Sequence, residues 1–135
     1  QITKDMVRKW KEESSYVGGD TRTVEVNLSV DGKNQTVDIG DLIQEACELL
    51  IPKVGNAIKR IVAEADPEYQ PILRNNIILS GGGSLIEGLA ERVAREIADI
   101  GDSNVWCVES PLEKVAEGAL MLASEMPDDM YTAIN

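Results

Sequence analysis

The sequence predicts an α/β fold: an incomplete sheet with flanking helices, preceded by a small α+β lobe that contains a β-hairpin. Residues 76–125 read as strand, glycine turn, helix, strand and helix, which is typical of a parallel sheet with right-handed crossovers. Residues 24–39 alternate apolar and polar positions, as strands covered on one face do. Residues 76–79 and 105–108 would form a very small sheet for helices this apolar. Either chain outside this sequence completes the sheet, which we expect, or the domain is unusually helical.

Composition excludes several classes of function. The 135 residues carry 24 acidic and 13 basic side chains, for a net charge of −11. Such an acidic chain repels nucleic acid, and without histidine it has no imidazole base, histidine metal ligand or histidine pH switch. Apolar runs stop short of the roughly 18–20 residues that a membrane span needs. We therefore expect a cytoplasmic protein with no direct membrane insertion and no nucleic-acid partner.

Two cysteines, Cys47 and Cys107, lie in apolar patterns without a CxxC partner. A structural zinc site or a disulfide framework requires more cysteines at closer spacing. The sequence therefore predicts two buried free thiols.

The first lobe is predicted to hold a helix and a hairpin. Thr3 can cap a helix over residues 2–16, and glycines 18 and 19 end it. The dipeptide of Asp31 and Gly32 between two alternating runs is a strong hairpin signal. A lone hairpin is unstable in water, so its apolar face should lie on another element.

Helical spacing of apolar residues continues over residues 41–64, where Pro52 predicts a kink or a break. Further helices are predicted over residues 85–99 and 112–125. The polar segment from residue 127 onward is predicted to be a mobile tail.

A run of three glycines between a strand and a helix lies within residues 80–84. It is neither a Walker loop nor GxGxxG, but glycines let the backbone approach a flat ligand with no Cβ in the way. One interpretation is a helix cap, in which Ser84 and Glu87 form a capping box. The other is a nucleoside platform, since a carboxylate in the first turn discourages a phosphate there.

Charged residues on the first helix also allow two interpretations. They can be a solvated face with ion pairs between Asp5 and Lys9 and between Arg8 and Glu12. Alternatively, Arg8, Lys11 and Glu12 line one wall of a purine pocket, because guanidinium groups, lysine stems and a carboxylate suit adenine.

Two segments carry a family resemblance. Residues 2–17 resemble the helix that actins place beside adenine, and residues 77–89 resemble the adenosine motif of the actin and bacterial MreB superfamily. Residues 66–70, 107–111 and 117–123 resemble the magnetosome-organising branch of bacterial actins. Both motifs occur in the family's order, and the resemblance covers essentially the whole chain.

The resemblance implies the C-terminal portion of an actin-like, ribonuclease-H-like fold. Residues 1–40 would be a small distal lobe, residues 41–126 the later part of the large nucleotide-binding lobe, and residues 127–135 a tail. Family members bind ATP or ADP with Mg²⁺ and polymerise into homopolymer filaments, which in this branch align or position organelles with possible adaptor proteins. Carried over by position, the cofactor-binding residues are Arg8, Lys11, Glu12, Gly81, Gly82, Gly83, Ser84 and Ile86.

Nothing in the sequence matches the family's phosphate-binding hairpins or the residues that position the attacking water. We therefore assign no catalytic or metal-binding residue, and we do not expect this chain alone to hydrolyse ATP. The alternative to half an ATP site is a non-catalytic protein-interaction module whose glycine loop only caps a helix. An independent small enzyme, such as a transferase, lacks any candidate catalytic group.

Overall fold

The structure, a computed structural model, describes residues 2–30, 32–127 and 130. The other residues of the predicted tail, 128, 129 and 131–135, lie outside this description. Helices, strands and two 3-10 turns follow one another along the described chain. Their bounds are α1 Lys4–Ser14, β1 Glu25–Val30, β2 Lys33–Asp38, α2 Gly40–Glu48, α3 Ile51–Glu64, α4 Gln70–Arg74, β3 Ile77–Leu79, a 3-10 turn Gly82–Leu85, α5 Leu89–Glu96, a 3-10 turn Ala98–Ile100, β4 Val105–Cys107 and α6 Lys114–Glu125.

The first helix has the predicted N-cap, but it ends at Ser14, two residues before the predicted end. The Thr3 hydroxyl accepts a hydrogen bond from the Met6 N–H at 3.3 Å, which caps α1. Ser15 is extended, and Gly18 and Gly19 both adopt positive φ values just beyond it. Helix α1 buries none of its own side chains, so contacts at its C-terminal end hold it to the molecule.

The predicted hairpin is confirmed. Strands β1 and β2 are antiparallel, and Val30 pairs with Lys33 across a two-residue loop in which Gly32 has φ +76°. Val26 is buried, whereas β2 is exposed along its whole length. Only one face of the ribbon is therefore covered.

The long helical run breaks at Pro52, as predicted. Helix α2 ends at Glu48, a turn at residues 49–50 follows, and α3 begins at Ile51 with Pro52 in its first turn. Proline is tolerated there because an N–H in the first turn of a helix has no helical acceptor.

Strands β3 and β4 pair in parallel, with Ile77 opposite Val105 and Leu79 opposite Cys107. They are the only strands of their sheet within the described chain. The prediction that a helix starts at residue 85 is wrong. Gly88 has φ +77°, a left-handed conformation that interrupts a right-handed helix, and α5 starts at Leu89.

The core lies where α2, α3 and α5 meet the sheet and the segment after α1. Gly55 on α3 permits close packing against α5, because a Cβ there would lie 2.6 Å from Cγ of Glu96. The buried apolar cluster comprises Val17, Cys47, Ile51, Ile86, Leu89 and Val93.

Both cysteines are free, and Cys47 is buried as predicted. Cys107 is only half-buried, because its strand belongs to a two-stranded sheet. Desolvation raises the pKa of the Cys107 thiol, so this cysteine is mostly a thiol at neutral pH.

Helix α6 leaves large apolar side chains uncovered. Val115 is 78% exposed, and Leu120, Met121 and Leu122 are also exposed, as is Ile78 on β3. Among the described residues no helix is long and apolar enough to cross a membrane. The apolar side chains of α6 and of Ile78 are therefore left uncovered by the described residues.

Replacing Gly40 by alanine should destabilise the fold strongly. A Cβ at Gly40 would lie 1.7 Å from the backbone oxygen of Arg22, so the backbone itself must move. We expect a loss of about 3 kcal/mol or more in the free energy of unfolding, measured by urea denaturation. Gly118→Ala is the matched control, because nothing surrounds that helical position, and it should stabilise by about 0.5–1 kcal/mol. An unchanged urea midpoint for Gly40→Ala would contradict the packing described here.

Asp38 should make stability depend on pH in acid. Its carboxylate accepts hydrogen bonds from the N–H groups of Gly40 and Val24, which lower the pKa of Asp38 below its ordinary 3.8. The ionised group thus stabilises the fold above about pH 4, and this stabilisation is lost as pH falls through the lowered pKa. Asp38→Asn keeps an acceptor oxygen without the charge. Its unfolding midpoint, followed by circular dichroism from pH 6 to pH 3, should fall less steeply than that of the unaltered protein.

The exposed apolar surface of α6 predicts that this chain self-associates when studied alone. Sedimentation velocity over a range of micromolar concentrations should show species heavier than 14.7 kDa. Val115→Lys with Leu122→Lys should shift the distribution toward monomer with unchanged circular dichroism. Lysine reduces the net negative charge, so added repulsion cannot cause that shift. A monomer at every concentration would count against the prediction.

Candidate functional site

A groove of about 350 Å³ lies between helix α1 and the glycine turn. One wall is charged and polar: it consists of Lys11 and Glu12 of α1 and of Ser15, which follows the helix. The opposite wall consists of the backbone of the glycine turn and of aliphatic side chains, including that of Leu112 just before α6. The lining residues are Lys11, Glu12, Ser15, Gly82, Leu85, Ile86 and Leu112. This volume lies in the range of about 300–1,000 Å³ that is typical of small-molecule sites.

The glycine turn is folded by hydrogen bonds to one carbonyl. Gly81 has φ +87°, and its oxygen accepts bonds from both the N–H and the hydroxyl of Ser84, at 3.0 and 2.8 Å. This arrangement buries Ser84 and leaves Gly82 and Gly83 exposed. A Cβ at Gly83 would meet no atom within 4 Å. The backbone of the turn is therefore open to an approaching ligand.

The predicted capping box is wrong. The Ser84 hydroxyl donates within the turn, and α5 begins five residues later at Leu89, with Gly88 as its N-cap residue and no side-chain cap. Glu87 instead pairs with Arg22 through its carboxylate. The glycine turn therefore does not serve α5 as a Ser84–Glu87 cap.

The ion pairs on α1 also differ from those predicted. Arg8 pairs with Asp5 at 3.7 Å, and Lys9 pairs with Glu13 at 3.8 Å. Neither pair uses Lys11 or Glu12, which have no ion-pair partner in the part of the chain that the structure describes. Both of these side chains are therefore available at the groove.

The structure brings together four of the eight predicted site residues as groove lining. These are Lys11, Glu12, Gly82 and Ile86. Gly81, Gly83 and Ser84 shape the turn behind them, and Arg8 lies outside the lining residues with its side chain 68% exposed. Sequence reasoning missed Ser15 and Leu112, since their place in the groove depends on how distant segments pack.

The residues after α1 are hydrogen-bonded directly to the turn. The Val17 N–H donates to the Glu87 oxygen at 2.9 Å, and the Glu87 N–H donates to the Ser15 oxygen at 3.1 Å. Gly88 permits this approach, because a Cβ there would lie 2.6 Å from the Val17 oxygen. These bonds place the C-terminal end of α1 beside the groove.

Arg22 contacts Tyr16 through both its backbone and its side chain at the same junction. The Arg22 N–H donates to the Tyr16 hydroxyl at 2.9 Å, and the guanidinium lies 4.8 Å from the centre of the tyrosine ring. The two ends of the guanidinium donate to the two carboxylate oxygens of Glu87, at 2.7 and 2.8 Å. This pairing holds the pKa of Glu87 below its ordinary value. Because Arg22 and Glu87 are 65 positions apart in the chain, no local pattern predicted their contact.

A second ionic network stabilises the chain segment that follows α1. Glu48 accepts from the Gly18 N–H and from Arg92, both at 2.9 Å, and Arg92 also donates to Glu96 at 3.0 Å. The Arg92 and Glu48 side chains are about two-thirds buried or more. The network thus connects the chain after α1 to both α2 and α5.

A cavity of about 360 Å³ lies on the other side of α1. Apolar side chains of α1, the hairpin and α2 form most of its lining. These are Ile2, Val7, Trp10, Leu28, Ile39, Leu42, Ile43, Ala46 and Cys47. The apolar face of α1 therefore borders open space and is not tightly packed.

No group of three or more cysteine, aspartate or glutamate side chains that could hold a metal ion together occurs among residues 2–30, 32–127 and 130. The donor set of these described residues therefore does not fit a Mg²⁺ site.

Residues 5–130 match the family model described as MreB/Mbl protein. The match covers most of the sequence, and the chain therefore belongs to the MreB/Mbl family. The family predicted from residues 2–17 and 77–89 is confirmed.

The curated relatives include bacterial actin-like proteins. "Actin-like protein MamK" of Paramagnetospirillum magneticum is 38% identical over 121 residues, which is 90% of this chain and 35% of that protein. "Actin-like protein MamK" of Magnetospirillum gryphiswaldense is 35% identical over 131 residues, covering 97% of this chain and 36% of that protein. The chain thus spans little more than a third of the length of these relatives.

Solved structures give the fold. A MamK double helical filament matches 94% of this chain and 39% of its own chain at 35% identity, with a TM-score of 0.89. A non-polymerising MamK mutant bound to AMPPNP matches 93% of this chain and 38% of its own, also at 35% identity, with a TM-score of 0.85. The architecture is part of the actin-like fold, as the sequence predicted.

Proposed function

We propose that this chain carries the adenosine half of the ATP site of an actin-like cytoskeletal filament protein. The observation that carries the proposal is the groove in which Lys11 and Glu12 of α1 face Gly82 and Ile86 of the glycine turn. In this proposal residues 1–40 form the small distal lobe, and residues 41–126 form the C-terminal part of the large lobe.

The two walls of the groove suit a nucleoside. Ile86, Leu85 and Leu112 offer aliphatic surface on which a flat base can be buried. On the other wall, the Glu12 carboxylate can accept from the exocyclic amino group of adenine, and the Lys11 stem can cover the ring. The exposed backbone at Gly82 lets a ribose approach without meeting a Cβ.

A related structure supports a nucleotide ligand. The mutant MamK bound to AMPPNP shares the fold of this chain over 93% of its residues. AMPPNP binding is a property of that protein. We propose that the groove described here binds the same class of ligand in this chain.

The proposal extends to the whole protein. ATP or ADP with Mg²⁺ would be the cofactor, and the Mg²⁺, the phosphate contacts and hydrolysis would depend on chain beyond these residues. Because a relative forms a double helical filament, we propose homopolymer assembly in the cytoplasm. Organelle-associated adaptors and alignment of magnetosomes are implied by the resemblance of residues 66–70, 107–111 and 117–123 to the magnetosome-organising branch, and we propose them on that basis.

The alternative is a protein-interaction module whose glycine loop only caps a helix. Its structural basis is weakened, because the Ser84 hydroxyl donates to Gly81 and α5 has no side-chain cap. The exposed apolar side chains of α6 still favour a protein contact, which a filament subunit also needs. Saturable nucleoside binding distinguishes the two functions.

Calorimetric titration of the full-length protein with adenosine and with ATP tests the proposal. A hydrogen bond to a charged acceptor contributes about 1 kcal/mol more than one to a neutral acceptor, so Glu12→Gln, which keeps an acceptor oxygen but loses the charge, should raise the Kd for both ligands by roughly fivefold. Lys11→Ala should also weaken binding. Glu13→Gln and Lys9→Ala alter the neighbouring ion pair on the same helix and should leave both affinities unchanged. Absence of saturable binding to the unaltered protein would reject the proposed function.

A further inference from the structure

We infer that Arg22 and Glu87 are positioning residues for the nucleotide groove: their ion pair fixes helix α1 against the glycine turn without touching the ligand. The inference rests on the proposed function, because it assigns these residues a role in adenosine binding. Neither side chain lines the groove, and both lie at the junction that joins its two walls.

Helix α1 needs such a restraint because little else holds it. It buries no side chain, and its two ion pairs are within the helix itself. Its apolar face borders the open cavity toward the hairpin and α2. The position of Lys11 and Glu12 is therefore set mainly where α1 ends, at Ser15 and Tyr16.

The backbone contact at that end is a single-residue bridge. Glu87 bonds to the residues on either side of Tyr16, and no neighbouring pair extends the bridge into a ladder. Tyr16 and Val17 on one side of the bridge and Ile86 and Leu89 on the other are all buried, so the junction itself belongs to the core. Helix α1 extends from this junction without burying a side chain of its own, so a rotation about the bridge would move α1 relative to the turn.

Besides the two backbone hydrogen bonds of Glu87, Arg22 makes a further contact at a distance from the bridge. Its backbone is bonded to the hydroxyl end of Tyr16, its guanidinium crosses the ring, and its two terminal nitrogens bind the Glu87 carboxylate. Tyr16 is 2% exposed, and its hydroxyl also donates to the Gly40 oxygen. The segment after α1 is thus enclosed between Arg22 and Glu87, and a planar two-point contact opposes rotation better than a single bond.

Because the Arg22 and Glu87 side chains are exposed, a positioning role can be distinguished from a stabilising one. The side chains of Arg22 and Glu87 are 52% and 66% exposed, and exposed ion pairs contribute little to the free energy of unfolding. Losing the pair should therefore alter ligand affinity far more than it alters stability. A purely structural role predicts the reverse.

The test compares three variants of the full-length protein: Arg22→Gln, Glu87→Gln, and the exchange of both charges by Arg22→Glu with Glu87→Arg. Adenosine, which carries no phosphate, is the titrant. Each single variant should raise the Kd by about 3–10-fold, a coupling of the size expected for residues that act through one contact. The exchanged pair should recover at least half of that loss on a logarithmic scale. Thermal unfolding midpoints should stay within about 2 °C of the unaltered protein.

Asp99→Asn is the matched control. It removes another ion pair of the same 2.7 Å length, in which Asp99 is 64% exposed and its partner Lys59 is 27% exposed, and which joins α3 to the second 3-10 turn rather than α1 to the groove. This variant should leave the adenosine Kd unchanged.

The outcomes distinguish the inference from the proposed function. If the unaltered protein binds adenosine and the single variants bind it equally well, the positioning role is overturned and the proposed function stands. Weakened binding that the charge exchange does not recover, or that Asp99→Asn reproduces, also overturns it. If the unaltered protein does not bind adenosine, both proposals fall.

Discussion

The structure depends most on the burial of one tyrosine hydroxyl. Tyr16 is almost fully buried, and a buried hydroxyl without hydrogen bonds would cost several kcal/mol. Its oxygen accepts from the Arg22 backbone and donates to the Gly40 carbonyl, so both its donor and an acceptor site are used. Those bonds join the end of α1, the chain entering the hairpin and the start of α2. This junction sets the positions of α1 and the hairpin relative to α2.

Glycine makes the junction possible at two places. Gly40 lies against the Arg22 carbonyl and Gly88 lies against the Val17 carbonyl, at distances that leave no room for a Cβ. Gly88 also takes a positive φ, which turns the chain out of its bridge with residue 16 and into α5. The same geometry delays the start of α5 and leaves the glycine turn as a separate wall of the groove. Close backbone approach and the shape of the groove therefore share one cause.

The uncovered parts of the molecule agree with its length relative to the family. The described residues leave apolar side chains uncovered on the two-stranded sheet of β3 and β4 and on α6. The chain spans 35–39% of the length of its curated relatives. A filament subunit would place further chain or a neighbouring subunit over these surfaces. The proposed adenosine groove, by contrast, is built from residues that all lie within this sequence.

Several local structures, and the family, could be predicted from the sequence. The Thr3 cap, the two-residue hairpin loop with Gly32 and the break at Pro52 are each produced by backbone chemistry within a few residues, so their patterns predicted them. The start of α5 and the partners of Ser84 and Glu87 were decided only by the tertiary structure. Glu87 could have capped a helix, but packing placed its backbone against residues 15–17 and its carboxylate within reach of Arg22. Such contacts join positions far apart in the chain, and local propensity carries no information about them.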